Sequence, residues 1–198
     1  MSKSTDLLEL TLLAPGLLGP FPEMIEGDEA IPEAPALARL LGRGRSAGPR
    51  SESYLAAAFS AFGLSRPAGD WPVAAVTRLE DTGEQDEGWW LRADPVFLKA
   101  ETDHAILFGS YAVKPTAEEA EALAGLFNQH FAADGLRLEA PVPDRWYLRL
   151  AEDPGITTHP VSDVVRRSVK PFLPEGEAAG RWHSLLTEIQ MLFHTAGA

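Results

Sequence analysis

Arginine and aromatic residues alternate along two short stretches of this chain, and their spacing is the most chemically suggestive pattern in it. In Arg145-Trp146-Tyr147-Leu148-Arg149-Leu150 the odd positions are Arg, Tyr and Arg. In an extended strand, residues two apart point to the same side. Arg145, Tyr147 and Arg149 therefore share one face, and Trp146, Leu148 and Leu150 take the other. The same rule puts Trp90 and Arg92 on one face of Trp89-Trp90-Leu91-Arg92. If the two stretches are neighbouring strands, two or three guanidinium groups beside Trp and Tyr form a forked, stacking surface suited to a carboxylate or phosphate. The candidate ligand-binding residues are Trp90, Arg92, Arg145, Tyr147 and Arg149. The same cations serve equally as surface ion pairs, Arg92 with Asp94 and Arg149 with Glu152.

The remaining reactive residues make weaker patterns. Of the five histidines, His183 and His194 are eleven residues apart, about three helical turns. They share a helix face but stand about 16 Å apart at about 1.5 Å per residue, too far to share a metal ion. Glu188 lies between them and needs a pocket before it can act as an acid or base. Gly42-Arg43-Gly44-Arg45 with Gly48 follows a helix, whereas a phosphate loop follows a strand and opens a helix. It reads as a flexible Gly/Arg-rich connection over 42–50. Trp89 and Trp90 must point to opposite faces, one into a core and one towards solvent. No cysteine is present, which removes disulfides, thiolate zinc sites, iron–sulfur clusters and cysteine nucleophiles. No catalytic residue, metal ligand or cofactor is assigned.

These residues need elements to carry them. The apolar run Leu7 to Leu13 suits a buried strand stopped by Pro15-Gly16, and the proline-rich stretch Pro15 to Pro35 reads as an ordered loop. Leu37, Leu40 and Leu41 predict a short helix ending near Gly42, and a second begins at Ser51 or Ser53 and stops at Gly63. Val73–Leu79, Gly88–Ala93, Val96–Glu101 and His104–Gly109 are short and rich in β-formers, and predict an antiparallel meander. Thr116 and Glu119 have capping-box spacing for a helix running to Asp134-Gly135. A hairpin turns at Pro143-Asp144 between Leu136–Ala140 and Trp146–Leu150. A short helix around Ser162 to Ser168 and a last one from about Glu175 to His194 follow. The last carries Trp182, Leu185, Leu186, Ile189, Leu192 and Phe193 as one docking stripe.

Composition bounds the class. At 198 residues with 45% hydrophobic and 23% charged residues, the chain has the make-up of a folded globular protein. The net charge is −12, with 17 Lys and Arg against 29 Asp and Glu. Duplex nucleic acid is held mainly by neutralising phosphates, so nucleic acid is not an expected partner. The N-terminus lacks the basic region and long apolar core of a signal peptide, and no run approaches the length of a membrane span, so a cytoplasmic setting is expected.

Three stretches carry a family resemblance: Trp90-Leu91-Arg92-Ala93-Asp94-Pro95-Val96, Pro143-Asp144-Arg145-Trp146-Tyr147-Leu148, and Trp182-His183-Ser184-Leu185-Leu186-Thr187-Glu188-Ile189-Gln190-Met191. Together they resemble the RpfE-type regulatory proteins, a sparsely characterised proteobacterial family, and the similarity spans most of the chain. The resemblance implies a regulatory role or, by a label some members carry, a phosphoglycerate mutase. It supplies no catalytic residues. It also implies a further C-terminal tail, with a His-Pro-Val-Asn segment and Trp and Gly residues, where this sequence ends at Ala198. Metal-dependent mutases use an early Asp with a Ser or Thr nucleophile, and the first apolar run here ends in Ala14-Pro15-Gly16. The Arg-His-Gly start of histidine-nucleophile mutases is absent.

The sequence thus predicts one α+β domain over 1–198, a mostly antiparallel sheet of short strands with four to five helices packed on it. The expected function is regulatory or binding, with an anionic small molecule or a protein as partner on the Arg/Trp sheet face. The alternatives are a metal-dependent phosphoryl-transfer enzyme resembling phosphoglycerate mutase, and an oligomeric scaffold.

Overall fold

A computed structural model describes residues 10–14, 34–45, 53–65, 67 and 69–196. The chain divides into two units, Met1–Arg66 and Pro67–Ala198. The fold is α+β, with six α-helices and two small antiparallel sheets among the described residues. No helix among them is long and apolar enough to cross a membrane.

The first unit contributes α1 (Pro35–Arg43) and α2 (Tyr54–Ala61). Proline in the first turn of α1 suits the missing N–H there, and the Ser53 hydroxyl accepts from the Ala56 N–H to cap α2. Both helices fall where apolar spacing places them. The expected strand Leu7–Leu13 does not form in its described part: residues 10–14 have no regular structure, and Leu10 and Leu12 are 84% and 79% exposed. An apolar run stays extended only when a ladder partner takes up its backbone groups, and residues 10–14 find none among the described residues. Residues 7–9, most of the proline-rich stretch, and residues 46–50 of the Gly/Arg-rich connection lie outside the described residues.

The second unit holds everything else: α3 (Val73–Thr82), β1 (Trp89–Arg92), β2 (Phe97–Ala100), β3 (Ala105–Phe108), α4 (Ala117–His130), β4 (Arg137–Val142), β5 (Arg145–Leu150), α5 (Val161–Val164) and α6 (Ala179–Ala196). Its main sheet has the order β1-β5-β4, all antiparallel. β4 and β5 form the expected hairpin around Pro143-Asp144. β1 comes from further back in the chain to flank β5, with Trp89 opposite Leu150 and Arg92 opposite Tyr147.

This pairing corrects the expected meander. β2 and β3 pair only with each other in the ladders, closing over Thr102-Asp103 where the Glu101 N–H donates to the His104 carbonyl at 2.8 Å. Asp94-Pro95 follows β1, and proline, which has no N–H, cannot continue a ladder. A second correction concerns Val73–Leu79, which is helical. Val73, Val76 and Thr77 favour a strand by propensity, but Ala74, Arg78 and Asp81 recur at helical spacing and meet the sheet together, and packing overrides propensity. Gly83, at φ 70°, ends this helix in the left-handed conformation that glycine adopts readily.

One face of the main sheet buries Leu138, Trp146, Leu148 and Leu150 against Ala120, Ala124 and Phe127 of α4, Phe131 at its C-terminal cap, and Trp182 of α6. The last helix docks by Trp182, Leu185, Ile189, Leu192 and Phe193, whereas Leu186 is 42% exposed. It begins at Ala179, because Glu175 instead bridges to Thr157. The expected helix around Ser162 to Ser168 reduces to the four residues of α5, after which Arg166 turns at φ 63°. The opposite face of the sheet carries α3, with Ala74, Trp90 and Tyr147 buried together.

Candidate functional site

The α3-facing side of the main sheet is where the alternation of Arg and aromatic residues leads. β1 and β5 are neighbours, so Trp90, Arg92, Arg145, Tyr147 and Arg149 do lie on one face. Cross-strand register arranges them in rows: Trp90, Arg149 and Arg137 in one, and Arg92, Tyr147 and Glu139 in the next. Arg137 and Glu139 belong to β4, and α3 adds Arg78 and Asp81 from above.

Trp89 and Trp90 behave as strand alternation demands. Trp89 is 50% exposed and Trp90 is buried at 9%. The Arg78 guanidinium stands over the Trp90 ring, 4.2 Å from its centroid, a cation–π geometry. Arg78 is itself buried. It donates from Nε to Glu139 Oε2 at 2.8 Å and from Nη1 to the Glu84 carbonyl at 3.1 Å.

Each arginine of the expected set meets a carboxylate. Arg92 grips Asp94 with two donors, Nε at 3.1 Å and Nη2 at 2.6 Å, and its guanidinium lies 5.5 Å from the Tyr147 ring centroid. Asp94 also accepts from the Trp146 N–H. Arg145 makes a forked contact to Asp81 through Nε and Nη2, and the Tyr147 hydroxyl donates to the same carboxylate at 2.5 Å. Arg149 donates through Nε to Asp86 at 3.1 Å, and not to Glu152 as its sequence neighbourhood suggested. Asp86 in turn accepts from the Gly88 N–H at 2.6 Å.

The protonation behaviour follows from these contacts. Burial pushes Asp81 upward, but the hydrogen bonds from Tyr147 and Arg145 outweigh it and hold its carboxyl below the ordinary 3.8. Tyr147 is raised above 10.0, first by burial and then by donating its proton to Asp81. Asp86 is lowered by the Gly88 N–H and then by Arg149.

The burial of their carboxylate partners separates the arginines. The Asp81 side chain is 3% exposed and that of Asp94 15%, so Arg145 and Arg92 are bound to carboxylates within the packed face. Arg149, paired with Asp86, and Arg137, whose Nη2 lies 3.6 Å from Glu139 Oε1, have side chains 44% and 69% exposed. They stand directly opposite each other across the β4–β5 ladder. Arg137, Arg78 and Asp81 were missed by reading alternation alone: the first depends on register, the other two on a helix whose residues favour strands.

Beside Trp90 lies a cleft of about 200 Å³. Ala75, Val76 and Leu79 of α3 give it an apolar wall. Arg78, Glu84, Gln85 and Asp86 add polar groups. The Trp90 indole N–H is buried and has no hydrogen-bond partner among the described residues.

The histidines form no site together. His183 meets the Pro174 carbonyl at 2.9 Å, and Glu188 pairs with His130 at 2.8 Å, tying α6 to α4. Among the described residues no group of three or more His, Asp and Glu side chains is placed to hold a metal ion. Comparison with protein-family models, with curated proteins and with solved structures finds no match.

Proposed function

We propose that the protein is a regulatory binding protein that takes a small anionic ligand at Arg149 and Arg137 on the sheet face. The observation that carries this reading is the like-charge pair itself. Two cations directly opposite on neighbouring strands destabilise a sheet, and here Asp86 on Arg149 and Glu139, 3.6 Å from Arg137, offset only part of that repulsion. A carboxylate or phosphate between them turns that cost into two charge-assisted hydrogen bonds. Both guanidinium groups are exposed enough to receive one. Arg92, Arg145 and Tyr147 support the site from behind by fixing β1, β5 and α3 to one another. The resemblance to RpfE-type regulatory proteins accords with a regulatory role, and a cytoplasmic setting belongs to the same proposal.

The test is a thermal-shift series with inorganic phosphate, citrate and 3-phosphoglycerate, each with and without magnesium. A ligand of the native state at 100 times its Kd stabilises by about 2.7 kcal/mol. The wild type is expected to gain melting temperature with at least one anion, and Arg149→Ala and Arg137→Ala to lose most of that gain. Equal shifts in wild type and both variants would overturn the site. A shift that needs magnesium would favour phosphoryl transfer instead.

A further inference from the structure

The outer side of α3 is apolar, where a surface helix is ordinarily polar. Ala74, Arg78 and Asp81 meet the sheet, and helical spacing gathers Ala75, Val76 and Leu79 on the side turned away from it. All three are exposed, Val76 by 53% and Leu79 by 47%. Together they form the apolar wall of the cleft beside Trp90. The rim of this wall is acidic: Glu80 to Glu87 carries five carboxylates and no Lys or Arg. Asp81 is turned inward to Arg145 and Tyr147, and Asp86 is paired with Arg149. Glu80, Glu84 and Glu87 are exposed. Glu84 reaches Arg78 at 3.5 Å. The Glu80 and Glu87 carboxylates have no ion-pair or hydrogen-bond partner among the described residues.

We infer that this face docks a basic amphipathic helix of a partner protein, which lays its apolar stripe on Val76 and Leu79 and sets Lys or Arg side chains against Glu80, Glu84 and Glu87. The apolar wall calls for apolar anchors at helical spacing, the mode in which a helix lies in a shallow groove. The cleft of about 200 Å³ is smaller than the roughly 300–1,000 Å³ of sites that enclose a drug-sized ligand, and suits one inserted side chain. Charge selects among occupants. Anionic lipid and nucleic acid are repelled by the carboxylate rim. A second copy presenting the same face would set that rim against itself. An extended strand finds nothing to pair with, because the backbone groups of α3 are bonded within the helix. A cationic helix gains from both parts at once: its anchors leave water, and its cations neutralise the two unpaired carboxylates. Of the anion site this face shares only the Asp86–Arg149 pair.

The experiment titrates the full chain into a fluorescein-labelled peptide of about 14 leucine and lysine residues, leucine recurring at helical spacing, and reads fluorescence anisotropy. Buffers free of phosphate and citrate keep the anion site out of the result, so each proposal can fail alone. Val76→Gln/Leu79→Gln removes the apolar anchors with residues that favour a helix, and is expected to weaken binding about tenfold. Glu80→Lys/Glu87→Lys is also expected to weaken it about tenfold. Glu121→Lys/Glu177→Lys makes the same change of charge at exposed positions elsewhere, and is expected to leave affinity within about twofold. Equal losses in the two charge variants would overturn the site, since net charge alone would then hold the peptide. Unchanged affinity in the glutamine variant would overturn it as well. Backbone amide shifts of the ¹⁵N-labelled wild type give a readout free of substitutions. Those of residues 75–87 are expected to move most, and a largest response on another face would refute this one. A peptide with glutamate in place of lysine is expected not to bind, and equal binding of the two would overturn the selection by charge.

Discussion

Asp81 is the most constrained carboxylate on the polar face: its side chain is 3% exposed, and Arg145 and Tyr147 both donate to it. Removing one partner of a fully buried ion pair costs about 3–5 kcal/mol, and Arg145 keeps some contact with water, so Asp81→Asn is expected to cost about 2 kcal/mol in urea unfolding at neutral pH. The pH dependence has a definite sign. The folded carboxyl titrates below 3.8, so its contribution is complete above that value and is lost as pH falls through the lowered one. The gap between wild type and Asp81→Asn should therefore narrow in acid. A gap that stays constant from neutral pH to pH 3 would show that Asp81 acts by shape and not by charge. Much of this face was legible, because six alternating residues fix which side Arg145, Tyr147 and Arg149 take whatever the sheet around them. The partners were not. Asp81 and Asp86 come from α3 and the segment after it, and nothing local to β5 points to either.

Among the elements, α4 carries the most explicit local signal. The Thr116 hydroxyl accepts from the Glu119 N–H at 3.2 Å, and the Glu119 carboxylate accepts from the Thr116 N–H at 2.8 Å. Thr116→Ala is expected to cost about 1 kcal/mol, measured as a lowered thermal midpoint, with the anion response intact. Such caps were readable because donor and acceptor lie three residues apart. The α3 helix was misread for the opposite reason: its β-branched residues carry a local preference, and the surface that reverses it is a sheet assembled from distant segments. The same α4 shows a contact that no spacing announces. The Asn128 side-chain amide donates to the Leu138 carbonyl and accepts from the Leu138 N–H, occupying the outer edge of β4. A sheet edge finished in this way is not open to a further strand at that point.

Across the whole molecule, fold class was readable from composition and period, while the strand order was not, because β1 pairs across four intervening elements. That order has a consequence in time. β4 and β5 are joined by two residues and form beside α4, which precedes them directly, whereas β1 meets β5 only after a loop spanning β2, β3, α4 and β4 has closed. Loop closure has to be met before the distant ladder returns anything, so the hairpin and α4 should assemble first and β1 arrive late. Stopped-flow chevrons check this directly. Leu138→Ala, in β4, should mainly slow folding, and Leu91→Ala, in β1, should mainly hasten unfolding. The reverse pattern would mean that the sheet nucleates on its longest-range pair. With β1 arriving last, the face that gathers Trp90 with Arg149 and Arg137 is the final part of the sheet to come into being and the first to come apart.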